Sequence, residues 1–203
     1  MIPILTPEEM RAVDAAAPEP VEVLIGRAGA AVARAAIDML DGAYGRRVVV
    51  IAGPGNNGAD GRDAARRLEA RGVRVTVLDA KDVPASLPRS DLVIDAAYGT
   101  GFHAPTAKIG ASGTWTPPDV VDVPVLAVDI PSGVDGLTGR AEGHVLWADR
   151  TVTFAALKPG LLFADGADRA GEIDVVDIGL DVSSARAHVV TGDDVRDWLP
   201  ERA

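Results

Sequence analysis

The sequence predicts a three-layer α/β/α sandwich built on a mostly parallel sheet. Short apolar runs alternate with helical periods or long crossovers along nearly the whole chain, and most of the runs close in glycine-rich or acidic turns. The first such turn, Gly53-Pro54-Gly55-Asn56-Asn57-Gly58-Ala59-Asp60-Gly61, joins the apolar run Val48–Ile51 to a helical pattern. That strand–turn–helix order is the opening unit of Rossmann-like sheets.

Taken in order, Thr6-Pro7-Glu8-Glu9 is a capping box with proline in the first turn, opening a helix to about Ala17. Pro18 and Pro20 end it. A second helix runs from Val21 to Leu40, and its Gly26 and Gly29 imply close packing against another backbone, because glycine costs about 1 kcal/mol relative to alanine inside a helix. After the central turn, Ala64, Ala65 and Leu68 share the buried face of a third helix that Gly72 stops, while Arg62, Arg66, Arg67 and Arg71 read as its solvated side. Further strands are expected at Val73–Leu78, Asp91–Ala96, Pro124–Val128, Arg150–Ala155 and Glu172–Ile178, with another at Ala187–Val190. Residues 103–123 hold prolines, glycines and Trp115 but no helical period, the composition of a functional loop. Thr191–Leu199 is a short capped helix, and Trp147 reads as core packing.

Composition narrows the function. A chain of 203 residues with no internal linker reads as one domain, residues 1–203. The formal charge of −10 opposes a nucleic-acid or anionic-membrane surface, and aromatics at 4% supply no stacking platform. The absence of cysteine removes disulfides, thiol nucleophiles and zinc–thiolate sites. Neither a membrane span nor a leader is indicated, so a cytoplasmic location is expected. His103, His144 and His188 have no ligand spacing.

Chemistry concentrates at the carboxyl ends of the expected strands, where ligands of such sheets sit. Asn56, Asn57 and Asp60 follow the first strand, Asp95 and Gly99 the third, Asp129 and Ser132 the fourth, and Lys158 the fifth. Gly53, Gly55, Gly58 and Asp79 also satisfy the G-x-G-x-x-G-plus-acid fingerprint of dinucleotide sites, although paired asparagines crowd a turn on which pyrophosphate lies flat. From the residues alone, Asp129 also reads as an Asx cap for Pro131-Ser132-Gly133, Asp95 as a strand-end cap and Lys158 as a surface or salt-bridging lysine.

Four of these loops together resemble the NAD(P)H-hydrate epimerase family. Its G-x-G-N-N-G-G-D-G, D-x-x-x-G-T-G, D-I-P-S-G and K-P-G segments stand here, in order, at Gly53–Gly61, Asp95–Gly101, Asp129–Gly133 and Lys158–Gly160, and Arg27-Ala28-Gly29 is similar to the family's early helix motif. The sequence departs from the pattern at Ala59 (usually glycine), at Gly26-Arg27 (usually Glu-Asn) and at 103–123, where many members carry a helix.

The resemblance implies an enzyme that interconverts the R and S epimers at C6 of hydrated NADH and NADPH. It implies a potassium ion held by Asn57, Asp95 and Ser132. Asn56, Asn57, Gly58, Ala59 and Asp60 would line the dinucleotide, with Gly99, Thr100, Gly101, Phe102, His103, Ala104, Pro105 and Asp129. Asp129 would be the acid/base, with Lys158 second. A homodimer and a fused or separate ADP-dependent dehydratase are the implied partners. The rivals are a non-catalytic scaffold of the same fold, since fold does not fix function, and an NAD-dependent oxidoreductase.

Overall fold

The computed structural model describes residues 1–100, 116–141 and 143–199. Six parallel strands form the central sheet: β2 (Arg47–Ala52), β3 (Arg74–Asp79), β4 (Leu92–Ala96), β5 (Val125–Val128), β6 (Arg150–Phe154) and β7 (Glu172–Val176). They lie in the order β3-β2-β4-β5-β6-β7. The chain therefore runs from β2 outward to β3 and returns to β4 on the other side of β2. The loops after β2 and β4 diverge at that reversal and open a crevice, the usual ligand position in such sheets.

Strand β2 is apolar from Val48 to Ala52 because both faces are covered there. Val48, Val50 and Ala52 join the core beneath helices α2 (Val21–Leu40) and α3 (Asn56–Glu69), which supply Ala28, Val32, Ala36, Ala64 and Leu68. Val49 and Ile51 face the opposite way, with Val93, Val125 and Ala127, against Leu146, Ala148 and connecting segments. Helix α1 (Pro7–Ala16) carries the expected capping box between Thr6 and Glu9.

Two glycines allow close approaches to and within α3. A Cβ on Gly29 would sit 2.4 Å from the Asp63 carboxylate, so α2 meets a side chain of α3 there, rather than the backbone its sequence implied. A Cβ on Gly58 would fall 1.9 Å from the Gly53 carbonyl oxygen, which is why the turn folds so tightly onto α3.

The last strand, β8 (Ala187–Val189), stands outside the main sheet. It pairs antiparallel with β1 (Ile2–Ile4), a strand too short to leave a periodic signal. The neighbouring Leu5 donates its N–H to Leu157 O, and Leu157 donates back to Pro3 O, fixing the chain just before Lys158. The sequence also left unread a single 3-10 turn at Pro159–Leu161 and helix α4 (Ala164–Arg169). Helix α5 (Gly192–Trp198) closes the described chain under the Thr191 cap.

Candidate functional site

The β-strand ends bring an ion pair to the floor of the crevice. Asp129, the first residue after β5, has φ 69, a left-handed conformation that costs a side-chain-bearing residue about 1–2 kcal/mol. Its N–H is tied to Val152 O, and the following Ile130 N–H to Val128 O, which hold the kink. The carboxylate accepts the Thr100 N–H at 2.9 Å and the Thr153 hydroxyl at 3.3 Å. Its Oδ1 lies 2.7 Å from the ammonium of Lys158.

Lys158 is 1% exposed, and its ammonium also donates to Thr153 Oγ1 at 2.8 Å and to Phe154 O at 3.0 Å. Three donors thus meet three acceptors, the condition for keeping a lysine charged in the interior. Burial pushes the Asp129 carboxyl upward, but the charge and hydrogen bond of Lys158, with Thr100, hold it below the usual carboxylate range. Asp129 is therefore an anion at neutral pH. The Asx-cap reading of Asp129 gives way to this pair, formed across 29 residues of sequence; Lys158 is the salt-bridging lysine expected, but in the interior and not at the surface.

A second cluster sits beside it. Asp95, fully buried at the end of β4, accepts the Ser132 N–H at 2.9 Å, the Ser132 hydroxyl at 2.6 Å and the Ala97 N–H at 3.3 Å. Ser132 Oγ in turn accepts the Tyr98 N–H at 2.9 Å. With its amide oriented to satisfy both neighbours, Asn57 donates to Val128 O at 3.0 Å and accepts the Gly99 N–H at 3.3 Å. Asn57, Asp95 and Ser132 thus meet around Tyr98-Gly99, all through oxygen-bearing side chains. Burial pushes the Asp95 carboxyl up against the opposing hydrogen bonds of Ser132 and Ala97, and no cationic side chain among the described residues pairs with it. A buried carboxylate without a cation, with the Ser132 hydroxyl on it and the Asn57 amide nearby, is a donor set of the oxygen-bearing kind that suits a hard monovalent ion.

Above both clusters lies a cavity of about 960 Å³. One wall is apolar, built from Met10, Leu24, Ile25, Phe154, Ile178 and Leu180. The other is the start of α3, whose N-cap Gly55 offers no side-chain acceptor to the first-turn N–H groups, leaving them to an anion. Arg27 pins the apolar wall by donating to Ile178 O at 2.7 Å while pairing with Glu19.

Asn56, Asn57, Asp60, Gly99, Thr100 and Asp129 line this cavity, and Lys158 reaches it from the floor. Gly58 and Ala59 lie off its lining. Gly58 packs on the turn, and Ala59 sits in regular helix, needing no positive φ. Gly101, Phe102, His103, Ala104 and Pro105 fall outside the described residues, as do Trp115 and most of the 103–123 connection. Asp79 ends edge strand β3, where it accepts the Lys81 N–H, away from the cavity lining. The acid of the dinucleotide fingerprint is therefore not at the site.

Two assignments need correction. Arg62 is half-buried, not solvated: it donates to Gly53 O at 2.6 Å and Ala52 O at 3.3 Å, clamping the end of β2. Arg66 and Arg67 are exposed as expected and pair with Asp63 along the helix surface. Trp147 is 62% exposed, with the Arg169 guanidinium 4.3 Å above its ring, and is not core. Sequence reasoning also missed Asp14 and the apolar wall, because nothing local says that α1 and α2 roof the sheet's carboxyl edge.

Comparison with known proteins agrees with the four-loop resemblance. The profile of the family described as YjeF-related protein N-terminus matches residues 21–85 and 79–160. The chain is 36% identical to the NAD(P)H-hydrate epimerase of Leuconostoc mesenteroides over 211 residues, covering 89% of this chain and 92% of that protein. It is 38% identical over 162 residues to the Bifunctional NAD(P)H-hydrate repair enzyme Nnr of Escherichia coli, covering 67% of this chain but 31% of that longer protein. The crystal structure of yeast ynu0 matches the fold at a TM-score of 0.63 and 20% identity, over 86% of this chain and 87% of that one.

Proposed function

The chain belongs to the family of YjeF-related N-terminal domains, and from that premise we propose that it is an NAD(P)H-hydrate epimerase, interconverting the R and S forms of hydrated NADH and NADPH in cofactor repair. The observation that carries the reading is the Asp129–Lys158 pair at the floor of the cavity. Epimerising a carbinolamine breaks the bond between ring carbon and hydroxyl, and the ring becomes cationic until water returns. A fixed carboxylate held by its neighbours lowers the energy of that cation without reorganising, which is the largest single contribution in many enzymes. Asp129 supplies the anion. Lys158 spends its donors on Asp129, Thr153 and Phe154, so it positions and charges Asp129 rather than carrying protons itself.

The free N–H groups at the start of α3 support binding of the dinucleotide's phosphates against the chain's negative net charge. Asn57, Asp95 and Ser132 would hold a potassium ion, which would brace the loops after β4 and β5 and offset the buried Asp95 charge. A scaffold without catalysis has no need of a buried ion pair facing an open cavity. An oxidoreductase is disfavoured by the position of Asp79.

Residues 1–203 act as one epimerase domain in this reading, as a homodimer in the cytoplasm. Its product goes to a dehydratase, fused or separate, consistent with the bifunctional name of the Escherichia coli relative. No helix among the described residues is long and apolar enough to cross a membrane.

The test starts from chromatographically purified R epimer of hydrated NADH. Catalysed approach to the R/S equilibrium, with intact NADH left unconsumed alongside a carbonyl acceptor, supports the reading. No acceleration over the uncatalysed rate, or turnover of NADH, contradicts it.

A further inference from the structure

A further carboxyl faces the cavity near Asp129. Asp60, on the first turns of α3, is 8% exposed and lines the cavity. Among the described residues, no N–H, hydroxyl or cationic group bonds to it, which is unusual for a buried carboxyl. The charged groups lining the cavity around it are Arg11 and Asp14 of α1, Glu19 ahead of α2, Asp129 and Lys158. Asp63, on Asp60's own helix, already pairs with Arg66 and Arg67. Lys158 is likewise committed to Asp129. Asp60 therefore sits buried beside an ionised Asp129, and among the described residues neither the exposed Arg11 nor any other cation pairs with it or with the exposed Asp14.

Resting on the epimerase reading, we propose that Asp60 is the proton carrier of the reaction: its neutral carboxyl gives a proton to the departing hydroxyl and takes one back, while Asp129 stays an anion throughout. The two carboxyls have opposite surroundings, and such divergence separates acid from charge-stabiliser in other two-carboxylate sites. The step balances. The Asp60 O–H proton moves to the hydroxyl oxygen, and the C6–O bond breaks with its electron pair leaving on water. The ring nitrogen's lone pair then closes the iminium opposite Asp129. After the ring turns about its bond to ribose, the released water adds to the other face. The nitrogen recovers its pair, and the surplus proton returns to Asp60. No oxidant or further reactant enters.

Burial, then the negative charges of Asp129, Asp63 and Asp14, push Asp60 up to about 8, with Lys158 opposing. The acid is accordingly loaded at neutral pH and poised to exchange its proton.

The experiment is R-to-S epimerisation of hydrated NADH by wild type and Asp60→Asn between pH 6.5 and 10, with the uncatalysed rate subtracted. Wild-type kcat should fall above about pH 8 as the acid loses its proton. D60N should keep KM within a few-fold, lose roughly 10²–10⁴-fold in kcat and lack that high-pH limb. A D60N kcat within threefold of wild type, or a limb that survives in the variant, overturns the assignment while leaving the epimerase reading intact. The wild-type profile is a second, folding-independent test, and a flat kcat to pH 10 overturns the proposal too. Wild type without activity on either epimer removes the epimerase reading and this proposal with it.

Discussion

Lys158 is the more deeply buried partner of its ion pair with Asp129: the charges stand 2.7 Å apart, with 2% of the lysine side chain exposed against 13% of the aspartate. The pair therefore bears on folding as well as on chemistry. Removing one member of a buried pair leaves the other charge uncompensated, typically at a cost of about 3–5 kcal/mol, whereas removing both is much milder.

Lys158→Met should accordingly lower unfolding stability by that order, and Lys158→Met with Asp129→Asn should cost less than the sum of the single changes. Chemical denaturation of the four proteins measures this. Single variants within about 1 kcal/mol of wild type would mean that the pair contributes nothing net.

Asp95 carries the cation prediction. Potassium chloride, compared with a bulky organic cation chloride at equal ionic strength, should raise the unfolding temperature by several degrees, because a ligand bound only by the folded state stabilises it by mass action. Asp95→Asn should remove the difference. Identical melting in both salts would remove the ion from the account.

Gly99 separates the two clusters. A Cβ there would lie 2.7 Å from Asp129 Oδ2 and 3.2 Å from Asn57 Cγ, and both side chains are held by other bonds. Gly99→Ala should displace Asp129 and slow epimerisation by about 10²-fold, as misplacement near 1 Å does elsewhere, with a smaller effect on stability. A wild-type rate in this variant would show that the Asp129 geometry is not critical.

Asp60 sets a pH slope on stability. Its folded value of about 8 stands above the ordinary 3.8, so between those values the folded protein holds a proton that the unfolded chain has released. Stability contributed by that proton is fully present below about pH 4 and lost as pH rises to about 8. Asp60→Asn has no such proton, so it should melt at the higher temperature at pH 8 and match wild type near pH 4. Parallel melting curves across this range would contradict the shift.

Much of the sheet is legible in the sequence because the inner parallel strands, covered on both faces, leave short apolar runs such as Val48–Ile51 that end in polar turns. The site is legible in part for the same reason, since Asn57, Asp95, Asp129 and Lys158 all stand at or shortly after the carboxyl ends of strands. The partners of those residues are another matter. Asp129 looks like an Asx cap because Pro131-Ser132-Gly133 lies beside it in sequence, while Lys158 reaches it only once β5 and β6 are paired. Arg62 lies on a face that looks solvated until the tight turn at Gly53 brings two carbonyls over it. Asp14 carries no local mark at all. It reaches the cavity because α1 crosses the sheet's carboxyl edge, and there burial raises its carboxyl, Lys158 opposing and Asp129 adding to the shift.

The most direct measurement is the epimerisation rate of Asp129→Asn, taken below the variant's own unfolding midpoint, since the amide leaves Lys158 without its counter-charge. The amide keeps the shape and an acceptor for Lys158 but cannot offset a cationic ring. With pure R epimer of hydrated NADH, kcat should fall by about 10²–10⁴-fold, the scale of losing one electrostatic stabiliser, while circular dichroism stays native. A folded variant that clears the R epimer as fast as wild type would contradict the role of the Asp129 charge, and with it the account of how this site works.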